Sequence, residues 1–390
     1  MNGDERIEMV TRAFQQCYGD APSVWVRAPG RVDLMGSHTD YNQGHVLTMT
    51  IDRDTWIAAR SRQDDQVQIA SMNLEGSASF SLQHITHDRA VPWTDYVRGV
   101  ASTLQTAGLP LHGFDGLVHS TIPFRSGLSS SAALEAAAAT LFSILGDWRV
   151  APERLALLCQ SAENRFVGVN CGILDQYSSV MGQAGYAVLL DCRALTSRAV
   201  SLPAGIVIAI CDTQSRRQLS GSEYAERRAQ CDAGVAILRR RCAAVNALRD
   251  VSLSDLLACA DDLPATTLRR CRFIVEEEAR VLALAAALER SEQPAMAVLM
   301  SASYDGARDL YRIGTGHMEA MILAMRGAPG VLGARQAGAG FGGCMVAAVA
   351  AEHVGAFINH VERAYHDATG VQPRVFPVQP SPGAGLVPCM

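Results

Sequence analysis

Four short segments concentrate residues able to seat a phosphate or move a proton. The first, Pro123-Phe124-Arg125-Ser126-Gly127-Leu128-Ser129-Ser130-Ser131-Ala132-Ala133, runs straight into strong helix formers. Backbone N–H groups at such a helix start point outward with partial positive charge, which suits a phosphate. Small side chains let a ligand approach the backbone closely, and serine hydroxyls can bond phosphate oxygens or Mg2+. No Gly-Lys-Ser/Thr follows, so this is not a Walker A loop; the plain alternative is a helix cap with a serine turn. The second segment, Cys171-Gly172-Ile173-Leu174-Asp175-Gln176-Tyr177, sets one acid among apolar neighbours. Asp175 either caps a helix or acts on a substrate hydroxyl, as proton acceptor or orienter, for in-line attack on a γ-phosphate.

The third segment, Arg27 to Asn42, gathers Arg31, His38, Asp40 and Asn42 in an expected turn between strands. Asp40 could accept hydrogen bonds from two vicinal sugar hydroxyls, and Arg31 could stabilise a carboxylate or a developing phosphate charge. The fourth, Gly333 to Cys344, is too rich in glycine for a helix, at a cost of about 1 kcal/mol per glycine. Its Gly338-Ala339-Gly340 precedes an expected strand rather than following one, which argues against a dinucleotide fold and for a loop packed at a nucleotide cleft.

These segments need elements to hold them. Strands are expected at Val24–Ala28 (ending at Pro29-Gly30), Val46–Ile51, Thr55–Ala59, Gln66–Ala70, Tyr186–Asp191, Gly205–Cys211, Cys344–Val349 and Arg374–Pro377. Helices are expected at Ser131–Leu145, Pro152–Val167, Tyr224–Arg241, Pro264–Arg290, Met296–Arg312 and Ala351–Ala368. Early strands, a helical middle and a closing strand–helix–strand read as an α+β fold with two lobes, divided near residue 200 into 1–200 and 201–390. At 390 residues, two domains sharing a cleft fit better than one core.

A net charge of −5 provides no basic field for DNA or RNA. Residues Met1 to Val10 do not read as a signal peptide, and no apolar run is long and uninterrupted enough to span a bilayer. Eleven cysteines are scattered without a CxxC pair, so a reduced, cytoplasmic protein without structural zinc is expected.

Together, in this order, the segments resemble the galactokinase branch of the GHMP small-molecule kinase superfamily. That family's GRVNLIGEHTDYN pattern is matched by Gly30–Asn42, its PxxxGLSSSA loop by Pro123–Ala132, its CGIMDQ block by Cys171–Gln176, and its GARxTGAGFGGC block by Gly333–Cys344 with Ala337 for Thr. The resemblance implies a two-lobed α+β fold with the active site between the lobes, using ATP and Mg2+ to phosphorylate the anomeric hydroxyl of a galactose-shaped sugar. It implies Asp175 as the catalytic aspartate with Arg31 as its electrostatic partner, and Ser131 and Glu163 as Mg2+ ligands. Gly127, Leu128, Ser129, Ser130, Ser131 and Ala132 would cradle the phosphates, with Trp93 and Tyr96 beside the adenine. His38, Asp40, Gly172 and Tyr224 would contact the sugar.

Ser37 stands where the family has a glutamate that resembles a reader of the sugar's C6 hydroxyl. A small neutral residue there would weaken that contact and remove a charge, which would favour galacturonate or L-arabinose as alternatives. The stretch Leu299–Tyr304, with Tyr304 in place of a family histidine, and Met49-Thr50-Ile51 also look like galacturonate kinases, whereas Thr39-Asp40-Tyr41 and Ser222-Glu223-Tyr224 look like the galactokinases. Arg216-Arg217, ahead of Tyr224, is either a solvated basic pair or a contact to a sugar carboxylate. A non-catalytic galactose and ATP sensor of this family would have a shortened phosphate loop, whereas Ser129–Ala133 is complete. Mevalonate or homoserine would offer Asp40 no ring of hydroxyls. Both substrates would bind within one chain, so a monomer or weak homodimer suffices.

Overall fold

The computed structural model describes residues 3–124, 126–215 and 222–387; Arg125 and the Arg216-Arg217 pair lie outside them. Strands β1 (Val24–Met35), β2 (His45–Ser61), β3 (Gln66–Ser71), β4 (Ser77–Ser81), β5 (Phe114–Ser120), β6 (Tyr186–Asp191) and β7 (Thr196–Ser201) build a first sheet. Strands β8 (Ile206–Asp212), β9 (Val331–Gln336), β10 (Cys344–Ala350) and β11 (Arg374–Val378) form an antiparallel second sheet in the order β11-β8-β10-β9. The short β12 (Gly385–Leu386) returns to the first sheet beside β1. That sheet runs β12-β1-β2-β5-β3-β4, with β6 and β7 continuing from the other end of β2. Helices pack against both sheets, which is the α+β arrangement the element order predicts.

Two boundaries differ from the sequence expectation. The runs at Val46–Ile51 and Thr55–Ala59 are one 17-residue strand, β2, because Asp52-Arg53-Asp54 holds no breaker and β1 pairs with the strand on both sides of that run. Strand β1 does not stop at Pro29-Gly30 but runs on to Met35, absorbing the proline in a register shift between Pro29 and Arg31. Gly30 is required there, since a Cβ would sit 2.7 Å from the Leu128 carbonyl oxygen. The extension decides where the chemistry goes. Along a strand, side chains alternate, so Val32 and Leu34 enter the core while Arg31 and Asp33 face the cleft.

The Ala-rich helix Ser130–Leu145 is buried along most of its length and lies against β1 and β2, small side chains allowing close approach. The helices expected at Pro152–Val167 and Met296–Arg312 each close in a π-turn, Glu163–Val167 and Ala307–Tyr311. One apolar cluster spans both sheets, with Val32, Leu34 and Met49 from the first, Ile208 and Val346 from the second, and Val281 of the helix Ala265–Glu289 between them. Among the described residues no helix is long and apolar enough to cross a membrane.

Candidate active site

A cleft of about 650 Å3 opens where the four motif segments meet, the fourth contributing Ala339 to its lining. Its floor is the turn before the helix Ser130–Leu145. Gly127 has φ 84° and Ser129 the left-handed φ 60°, a costly conformation for a residue with a Cβ. The Ser129 hydroxyl is buried and, among the described residues, bonds to nothing. A strained, unsatisfied serine at a helix N-terminus is pre-arranged for an anionic oxygen. The glycine run Gly338–Gly343 packs against this turn. Cys344 N donates to Ser126 O (2.8 Å), and a Cβ at Gly343 would lie 2.6 Å from that oxygen.

Above the turn stands Arg31, 5% exposed. It donates to Asp175 Oδ1 through Nη2 (2.6 Å) and Nε (2.9 Å), and to Gly127 O through Nη1 (2.7 Å). One guanidinium thus ties the phosphate turn to the acid 144 positions away. Asp175 sits in the first turn of the helix Leu174–Met181, where the helix dipole favours a carboxylate. The side chains of its neighbours Gln176, Tyr177, Ser178 and Ser179 are buried, whereas the Asp175 side chain keeps 31% of its surface open toward the cleft.

Asp40 lies across the cleft, where its Oδ1 accepts from Tyr41 N (2.9 Å). Burial, reinforced by the charges of Asp175 and Asp33, pushes its carboxyl up to about 6. Folding therefore holds a proton that the unfolded chain releases near 3.8, and ionising Asp40 subtracts stability as pH rises between those values. A ligand that offers Asp40 two hydroxyls needs the carboxylate, so its affinity should weaken about tenfold for each pH unit below about 6. Calorimetric titration between pH 5 and 8 measures this, and Asp40→Asn should flatten the profile. Gly172 faces Asp40 so closely that a Cβ would fall 1.5 Å from Oδ2.

Glu163, at the start of its π-turn, is 5% exposed and hydrogen-bonded to Ser131, Gln176 Nε2 (2.5 Å) and Cys171 Sγ (3.3 Å). Burial, then the charge of Asp175, raises its carboxyl to about 7. Its fully buried neighbour Glu135 shares Gln176 Nε2 (3.0 Å), and burial and Glu163 push it up as well. A hydroxyl oxygen and a carboxylate that meet beside the phosphate turn are the hard donors a Mg2+ ion takes, with phosphates supplying the rest.

The remaining wall holds Ser37, His38 and Tyr224. His38 adopts a left-handed φ of 73°. Its Nε2 donates to Ala339 O (2.9 Å), leaving Nδ1 to accept from the Tyr41 hydroxyl (3.0 Å). The ring stacks at a tilt on Tyr224, with centroids 5.4 Å apart.

The galactokinase galactose-binding signature matches residues 12–61, and the GHMP kinases N terminal domain matches residues 95–183. A galactokinase of Chloroflexus aurantiacus is 43% identical over 374 residues, 96% of this chain and 95% of that one. A galactokinase of a Roseiflexus species is 44% identical over the same shares. Lactococcus lactis galactokinase complexed with galactose superposes with a TM-score of 0.94 at 32% identity, covering 98% of this chain and 100% of that one. The chain belongs to the galactokinase family. It is a sugar kinase with the GHMP fold, which a mevalonate kinase shares at a TM-score of 0.63 and 17% identity.

The expected members of a galactokinase-family site differ in whether their side chains line the cleft. Tyr96 lines the cleft, as do Gly127, Ser129, Ser130 and Ser131. Trp93 is not among the lining residues, although it packs beside Tyr96 on the core of the first sheet. Leu128 and Ala132 are 1% and 0% exposed, so they offer backbone rather than side chain. Glu135 and Asp33 were missed. Glu135 reads as one more helix former in an alanine run. Asp33 occupies the Asn position of the family pattern GRVNLIGEHTDYN, a one-letter departure as legible as that at Ser37.

Proposed function

We propose that this protein transfers the γ-phosphate of ATP to the anomeric hydroxyl of galactose or a close analogue altered at C6. The observation that carries the proposal is the Arg31–Asp175 contact, at 2.6 Å, joining the phosphate turn to the wall that holds Asp40. Phosphoryl transfer asks little covalent chemistry of a protein; positioning and charge stabilisation do most of the work. Asp175 accepts the proton of the attacking hydroxyl or orients that hydroxyl in line. Arg31 holds the Asp175 carboxylate in place and spreads positive charge toward the transferring group. The Gly127–Ser131 backbone and the Ser129 hydroxyl hold the phosphates, and Tyr96 flanks the base. Ser131 and Glu163 would hold Mg2+, which neutralises phosphate charge when bound. Asp40, His38 and Tyr224 hold the sugar, and Gly172 leaves room for Asp40.

The division into domains 1–200 and 201–390 belongs to the same proposal, supported by the change of sheet between Ser201 and Ile206. A cytoplasmic, monomeric or weakly dimeric protein is supported by ten free cysteines among the described residues and by a cleft assembled from one chain. The test is ADP release with MgATP and galactose, galacturonate, L-arabinose or N-acetylgalactosamine. Galactose should give the highest kcat/KM. ADP release independent of any sugar would overturn the proposal.

A further inference from the structure

The cleft contains one acid for which the proposed function has found no task. Asp33 is 2% exposed and faces the cleft from β1. Its Oδ2 accepts from Ser37 Oγ (3.1 Å). Its Oδ1 lies 3.1 Å from Arg31 Nε yet, among the described residues, accepts no hydrogen bond. A carboxylate oxygen buried and left unsatisfied is expensive, unless a ligand hydroxyl completes it. Nearby positive charge is already committed. Arg335, fully buried, donates from Nη2 to Ser37 Oγ (3.2 Å) and to Glu277 Oε1 (3.2 Å), from Nη1 to Asp33 O (3.2 Å), and from Nε to Ser303 Oγ (3.0 Å). Glu277 is fully buried too and also binds Arg280.

We propose that Asp33 is a substrate-binding and specificity-determining residue, its unsatisfied Oδ1 accepting from the sugar's C6 hydroxymethyl group while Oδ2 stays on Ser37. Relative to the pattern GRVNLIGEHTDYN, acid and neutral residue have changed places between two positions whose side chains touch. The site has kept its negative charge and moved it by about one side-chain length. Ser37 therefore does not open the cleft to a C6 carboxylate. A uronate would meet Asp33, and the Arg335 guanidinium behind Ser37 is already shared among an acid, two hydroxyls and a carbonyl. A glutamate placed at position 37 while Asp33 remains would force two carboxylates together in a buried place. This reverses the simple expectation that such a change improves the enzyme for galactose.

The inference rests on the proposed function, and its test separates the two. Four proteins are compared: wild type, Asp33→Asn, Ser37→Glu, and the double variant. KM and kcat are measured for galactose and for 6-deoxygalactose, with thermal melting to confirm folding. Asp33→Asn should raise the galactose KM at least tenfold and the 6-deoxygalactose KM less than threefold, with the MgATP KM unchanged. Ser37→Glu alone should also raise the galactose KM. The double variant should recover to within about threefold of wild type. Equal effects on both sugars, or a double variant no better than the worse single one, would overturn the role of Asp33. A wild-type protein inactive on both sugars would instead overturn the proposed function.

Discussion

Asp175→Asn should lower kcat about a thousandfold while the MgATP KM moves by no more than a few-fold. A positioned general base or orienting acid contributes on the order of 10²–10⁴ to such reactions, and the carboxamide can neither take the proton nor balance Arg31. The change is nearly isosteric, so the helix Leu174–Met181 keeps its packing through Leu174, Tyr177 and Ser178. Arg31 loses a partner at 2.6 Å but retains Gly127 O and the charge of Asp33. The phosphate turn should therefore hold its shape, and the loss should appear in kcat. Steady-state ADP release at saturating sugar and ATP measures it. A loss below tenfold would remove Asp175 from the proton's path and leave binding alone to explain turnover.

Gly172→Ala should raise the sugar KM about a hundredfold or more. The added methyl would lie 1.5 Å from Asp40 Oδ2, 2.3 Å from its Cγ and 2.8 Å from Oδ1. No small shift relieves three such contacts, so Asp40 must swing away from the position in which it faces two hydroxyls. Hydrogen bonds to a charged acceptor are worth about 1.5–3 kcal/mol each, and losing most of two of them gives the stated factor. Gly316→Ala is the control, because a Cβ there meets nothing within 4 Å and its backbone is ordinary. In an Asp40→Ala background, Gly172→Ala should cost little more, since the group it displaces is gone. A full additional loss would mean that Gly172 acts on the backbone of the Asp175 helix instead.

How far the sequence carried these conclusions depends on the kind of signal each residue leaves. Glycine and serine runs are visible because few structures tolerate them, so the phosphate turn and the Gly338–Gly343 loop could be placed as loops. Arg31 and Asp175 were legible as partners only through the family resemblance, because neither composition nor spacing links positions 144 apart. The helix Leu174–Met181 escaped notice since eight residues carry too little periodicity. Trp93 and Tyr96 were named through the resemblance; both pack on the core of the first sheet, and of the two Tyr96 lines the cleft. Proline and glycine at 29 and 30 suggested an end to β1; a bulge and continued pairing with β2 carry the strand through. Position 33 shows the opposite failure. The letter was in plain view, but its meaning depends on a neighbour four residues on and a guanidinium from β9, which only packing reveals.

The pairing of β12 with β1 has a consequence for how the chain is made. Arg27, buried in β1, spends three of its hydrogen bonds on Pro382 O, Gly383 O and Ser381 Oγ, and its remaining partner is Asp54. An edge of the sheet that appears early on the ribosome therefore waits for residues translated more than 350 positions later. At about 5–20 residues per second, the interval from Ser201 to Leu386 is roughly 10 to 40 seconds. Throughout it, Arg27 lacks most of its acceptors and β1 presents an unpaired edge, the kind of surface that a chaperone covers and a neighbouring nascent chain can invade. Translation halted before residue 381 yields a chain whose cleft residues are all present but whose first sheet is unsealed. The segment from Ser381 to Leu386 is thus the closing seam of the first sheet.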